Sequence, residues 1–248
     1  MTELGDRLLN FFVDNLPSWQ AMVVGGPLGA SWAFACLHVA GWLKRHHGLK
    51  TGYSRKIFHF LIFTTAAVLQ AGWGTSHVCL FGGMTSLIIL YALLRGPGHT
   101  LYEAMARERD APHQTYYIIA PYFATLLGGI ASNVLFGEIA VVGYLVAGLG
   151  DAIGEPVGTR FGKHTYRVPA FRGVKSTRSY EGSAAVFLAS SIAITMGILI
   201  CSDLHLSPHS VITIPLLAIA CTGLEAVSPH GWDNATIQLI PSWLISLF

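Results

Sequence analysis

Long apolar runs alternate with short polar ones along this chain, and the apolar runs are too long for strands. Segments 19–43, 57–73, 77–94, 116–135, 139–157, 184–204 and 211–227 each come close to the roughly 20 residues that a helix needs to cross hydrocarbon. An eighth, 235–248, is shorter and contains Pro241, so it is expected to tilt, thin the bilayer or stop short of crossing. The pattern predicts an all-α, polytopic integral membrane protein of seven or eight transmembrane helices, with residues 18–248 forming a single transmembrane domain. Ahead of it, residues 1–17 carry Glu3, Asp6 and Asp14 around Leu8, Leu9, Phe11 and Phe12, which predicts a short interfacial helix on the membrane surface.

Composition agrees with this reading. Residues are 52% hydrophobic and 11% charged, against about a quarter charged in globular chains. Cys36, Cys79, Cys201 and Cys221 lie inside apolar runs without metal-like spacing and read as small buried hydrophobes. The net charge of +2 carries little; where the cations fall carries more. Lys44, Arg45, Lys50, Arg55 and Lys56 lie between the first two segments, Arg95, Arg107 and Arg109 between the third and fourth, and six more between the fifth and sixth. The intervening loops hold neither Lys nor Arg, and of fifteen cations only Arg7 falls on the opposite side. By the positive-inside rule the N-terminus is then non-cytoplasmic and the basic loops are cytoplasmic. The loop 95–115, mixed in sign, reads as a short amphipathic surface helix with no assigned chemistry.

Candidate chemistry concentrates in residues 146–187. Gly150, Gly154, Gly158 and Gly162 recur every fourth residue and form one side-chain-free stripe along a helix, open to another backbone or to a ligand. Asp151 and Glu155 share that spacing, so their oxygens stand one turn apart and could hold one divalent cation. Arg160, Lys163, Arg167, Arg172, Lys175 and Arg178 follow before the next acid, Glu181. Hard oxygen ligands beside cations and backbone amides are what a magnesium nucleotide requires. Arg55, Lys56 and His59 at the second segment, and Glu225, Asp233 and Asn234 near the C-terminus, fall at the same predicted face. Ionisable groups at the edge of a membrane span are costly, which favours function over packing.

The Gly150-Asp151-Ala152 opening, the glycine spacing through Gly162-Lys163 and the Arg178-Ser179-Tyr180-Glu181-Gly182-Ser183 close resemble the membrane-embedded CTP-dependent lipid kinases: dolichol kinase, phytol and farnesol kinases, and CTP-dependent diacylglycerol kinase. Arg55-Lys56-x-x-His59 and Glu225…Gly231-x-Asp233-Asn234…Pro241 add to the resemblance, which covers about 55–241. It implies transfer of the γ-phosphoryl group of CTP to the hydroxyl of a membrane lipid, an isoprenoid alcohol or diacylglycerol, at a cytoplasmic active site. The expected partners are CTP, magnesium and that lipid, with no nucleic acid. Phosphatidate cytidylyltransferases share part of the pattern and would form CDP-lipid instead. Their C-terminal Gly-Gly-x-x-Asp-Arg-x-Asp is replaced here by Gly231-Trp232-Asp233-Asn234, which favours the kinase. A transporter with a basic gate is a third reading, weakened by the lack of an internal repeat.

The resemblance implies site roles. Asp151, with Glu155, Glu225 or Asp233, would hold magnesium. Lys163, Arg172, Lys175 and Arg178 would clamp phosphates, and Gly150, Gly154, Gly158 and Gly162 would admit backbone amides to them. Arg55, Lys56, His59 and Asn234 would line the nucleotide mouth, and one of Glu181, Glu225 or Asp233 would orient or deprotonate the acceptor.

Overall fold

The structure, a computed structural model, describes residues 3–168, 176–201, 204–229 and 231–247. Its helices are α1 (Glu3–Asp14), α2 (Gly26–His47), α3 (Thr51–Trp73), α4 (Thr75–Arg95), α5 (Thr100–Glu103), α6 (Tyr116–Phe136), α7 (Ala140–Leu145), α8 (Ala152–Phe161), α9 (Tyr180–Ile200), α10 (Ser210–Val227) and α11 (Asp233–Ile245). Five helical stretches, 21–47, 75–95, 116–161, 180–200 and 210–227, are long and apolar enough to cross a membrane. The third has 46 residues, about twice one crossing. It folds back at Gly137, whose φ of 55° a glycine adopts without strain. In α3 the residues Lys56, His59 and Gln70 lower the hydropathy, and α11, with 13 residues, is too short for a straight crossing.

The outer faces are apolar. Leu188, Ile192 and Leu199 of α9 and Val211, Ile212 and Leu216 of α10 all point outward. An apolar surface that extensive marks a membrane protein. Inside, α7 is buried along its whole length and packs with Phe63, Ile194, Leu217 and Ile237 from α3, α9, α10 and α11. A second core joins Leu37, Ala92, Leu101, Tyr102 and Ile118.

Two expectations need correction. The chain is nearly, not wholly, α-helical: β1 (Thr165–Val168) and β2 (Ser176–Ser179) pair antiparallel, Thr165 against Ser179 and Val168 against Ser176. Thr, Tyr and Val favour extended backbone, and the paired strands bring the two ends of the basic segment together. The loop 95–115 is no surface helix. Gly96, Pro97 and Gly98 break it, α5 lasts one turn, and Leu101, Tyr102, Met105 and Ala106 are buried among α2, α4 and α6.

The glycine stripe lets α8 and α9 touch backbone to backbone. A Cβ at Gly154 would lie 2.6 Å from Val186 Cγ2, and one at Gly182 would lie 2.8 Å from the Gly154 carbonyl oxygen and 3.3 Å from Gly158 Cα. Gly182→Ala should therefore push the helices apart and cost about 1–3 kcal/mol, read as a lower melting temperature in detergent. Gly223→Ala, whose methyl meets open space, should leave the melting temperature unchanged.

Candidate active site

Successive helices alternate in direction, so the C-terminal ends of α2, α4, α8 and α10 and the N-terminal ends of α3, α6, α9 and α11 gather at one end of the bundle. Contacts across that end bear this out. Lys44 of α2 reaches Glu103 and Glu108, and Glu155 of α8 reaches Arg107 and Arg109. A polar cavity of about 220 Å³ lies among them.

Between α7 and α8 the chain makes a π-helical stretch, Val146–Asp151. Such widened turns recur at functional sites because they re-aim the side chains that follow. Here the stretch ends on Asp151, which is 3% exposed. Lys56 Nζ lies 2.6 Å from Asp151 Oδ2. His59 Nε2 lies 3.2 Å from the same oxygen and 3.0 Å from the Ala147 carbonyl oxygen. Both neighbours of His59 Nε2 are acceptors, so the ring donates from Nε2. Arg55, Lys56 and His59 all come from the first three turns of α3, which makes this helix the carrier of one wall.

Across the cavity Arg178 of β2 bridges two carboxylates. Its Nε is 2.7 Å from Glu225 Oε1 and its Nη2 2.8 Å from Asp233 Oδ2, while Nη1 is buried with no hydrogen-bond partner among the described residues. A planar fork can hold two carboxylates and still present a third donor; an ammonium would not fix the same geometry. Glu155 takes Arg109 Nη2 at 2.9 Å and Arg107 Nη1 at 3.3 Å. Farther out, partial burial works to raise Glu108, but Lys44 and Thr51 donate to it and hold its carboxyl below the usual carboxylate range.

Of the residues expected from the sequence, Arg55, Lys56, Asp151, Gly154, Glu155, Gly158, Arg178, Glu225 and Asp233 line this one cavity, with His59 behind Asp151. Asp151, expected to share a divalent cation with Glu155, meets Lys56, and Glu155 meets Arg107 and Arg109. Gly150 and Gly162 pack against Ser190 and Ser179, away from the cavity lining. Lys163 is exposed, and Glu181 pairs with the ring and backbone of His164 at the rim, 3.0 Å from Nδ1. Asn234 turns to Pro121 and Thr125 and lines a neighbouring apolar slot. Arg172 and Lys175 lie outside the described residues.

The sequence reading assigned nothing to Arg107 and Arg109, yet both line the cavity, as do Thr159, Thr165, Thr177, Ser179 and Ser183. Their signal was position: a mixed-sign loop on the same predicted side as Glu155. The lining thus sets Arg55, Lys56, Arg107, Arg109 and Arg178 against Asp151, Glu155, Glu225 and Asp233. Cations that outnumber carboxylates in a confined site, with a buried guanidinium nitrogen spare, suit a polyanion that arrives with part of its charge already neutralised.

Over 226 residues, 90% of this chain and 89% of its relative, the sequence is 30% identical to the phytol kinase of Synechocystis sp.. No protein-family model and no solved structure matches the chain. With that identity running almost the whole length of both proteins, the chain belongs to the phytol kinase family.

Proposed function

We propose that this protein is a CTP-dependent lipid alcohol kinase, with seven or eight transmembrane helices, its N-terminus outside and its polar cavity at the cytoplasmic face. The observation that carries the reading is the buried Lys56–Asp151–His59 cluster facing Arg178, Glu225 and Asp233 across one cavity, in a chain collinear with a phytol kinase.

Phosphoryl transfer needs alignment and charge neutralisation more than covalent chemistry from the protein. Arg178, Arg55 and the pair Arg107 and Arg109 surround the space for the nucleotide phosphates. The hydroxyl oxygen of the lipid attacks the γ-phosphorus, and the bond from that phosphorus to the β,γ-bridging oxygen breaks. Its electron pair leaves with CDP, so the products are CDP and a lipid monophosphate. The hydroxyl proton passes to Asp233, which lines the cavity while the next residue, Asn234, lines the apolar slot.

Magnesium fits the donor set. The cavity offers the hard carboxylate oxygens of Asp151, Glu155, Glu225 and Asp233. An ion that keeps water and phosphate ligands and takes only one or two carboxylates suits such a site. Asp151 and Glu225 would hold it, and it would neutralise charge on the phosphates.

The test is a panel of γ-labelled CTP, ATP, GTP and UTP given to the purified protein with phytol and magnesium. Labelled phytyl phosphate is expected from CTP and none after chelation of the metal. Equal or faster transfer from ATP would overturn the CTP assignment.

A further inference from the structure

Beside the polar cavity runs an apolar slot of about 380 Å³, and Arg55 lines both. Its walls follow three helices in register. From the charged end inward, α3 contributes Arg55, His59 and Phe63, while α4 contributes Ile89, Thr85 and Gly82. On α6 the lining extends from Tyr117 to Asn133, roughly 24 Å at 1.5 Å per residue. Phe11 and Phe12 of α1 also line it. Since α1 leads into the opposite end of α2 from Lys44, these rings belong to the far end.

We propose that this slot receives the hydrocarbon tail of a single-chain lipid alcohol, hydroxyl toward Arg55, and that Gly82 sets its width. The inference rests on the lipid kinase reading above. Three observations support it. The slot is lined mainly by apolar side chains over the length of α6. At its junction with the cavity, Arg55 Nη1 is buried without a hydrogen-bond partner among the described residues, a donor placed where an oxygen of the acceptor or of the transferred phosphoryl group must sit. And Gly82 stands in the middle of the α4 face formed by Val78, Thr85 and Ile89, where an added Cβ meets nothing within 4 Å. That glycine is not required by helix packing, and a larger residue there projects into the slot.

Gly82→Leu and Gly82→Phe are compared with wild type and with Gly72→Leu, whose side chain meets open space and lines neither cavity. A CTP-induced rise in melting temperature shows that each preparation is folded. Transfer to phytol, farnesol and the short alcohol prenol is then measured. The expected result is that the Gly82 variants lose preference for phytol over prenol by about tenfold or more, mostly in KM, the order that one or two misfit methylenes produce in an apolar pocket. Gly72→Leu should keep the wild-type preference.

A second measurement needs no variant. A farnesol analogue with a diazirine at its tail should crosslink to α4 and α6 peptides facing the slot. An unchanged phytol-to-prenol ratio in Gly82→Phe, or crosslinks confined to the outer surface of the bundle, would overturn the slot while leaving the kinase reading intact. Failure of the wild type to phosphorylate any alcohol would overturn both.

Discussion

Asp151→Asn should reduce phosphoryl transfer by about a hundred- to a thousandfold, the usual consequence of removing one charged group from a preorganised transition-state environment. Asp151 is buried, and Lys56 and His59 converge on its Oδ2. The substitution therefore has a structural arm as well, because Lys56 would keep its charge with no anion beside it. An orphaned buried charge costs about 3–5 kcal/mol. The double variant Lys56→Gln/Asp151→Asn separates the two. It removes the orphaned charge, so the melting temperature should recover toward wild type. Activity should not recover, because the carboxylate proposed for magnesium is still missing. Recovery of both would reduce Asp151 to a structural partner of Lys56.

Arg178→Lys is the second large effect. It preserves the charge and removes the fork by which Nε and Nη2 hold Glu225 and Asp233 at 2.7 and 2.8 Å. A lysine ammonium is a point charge and cannot reproduce two planar contacts while leaving a third nitrogen for phosphate. We expect kcat/KM to fall by about a hundredfold and the melting temperature to drop, since two carboxylates lose their common cation. Arg178→Gln should lose more on both counts, because no charge remains between Glu225 and Asp233. Wild-type rates in Arg178→Lys would show that the fork geometry is not used.

What the sequence made legible, and what it hid, follows from the range of the interactions. Hydropathy registered the apolar helices, because each carries its own signal over about twenty residues. Residues such as Lys56, Asp151, Arg178 and Asp233 were legible as charges that do not belong in or beside hydrocarbon. Their pairing was not legible: Lys56 meets Asp151 across 95 residues, and Arg178 meets Asp233 across 55. Spacing along one helix set Asp151 and Glu155 on one face, but it could not show the cations that packing brings to each from other elements. The same limit applies to Arg107 and Arg109, whose loop has no motif and gains its place only once Leu101 and Tyr102 are buried beneath it. The glycine stripe fitted either ligand approach or helix contact, and it serves α8 against α9 along its length, with only Gly154 and Gly158 also reaching the cavity. Asn234 lines the apolar slot while Asp233 lines the polar cavity, because one residue along a helix turns a side chain by about 100°.

The central claim is that the γ-phosphoryl group moves to a lipid hydroxyl. The most direct test gives the purified protein phytol, magnesium and CTP labelled either at the α or at the γ phosphorus, and follows the label into the lipid fraction. Label from the γ position in a lipid monophosphate, with α label remaining in CDP, is the expected result. Label from the α position in the lipid, with γ label released as pyrophosphate, would contradict the account and make the protein a cytidylyltransferase.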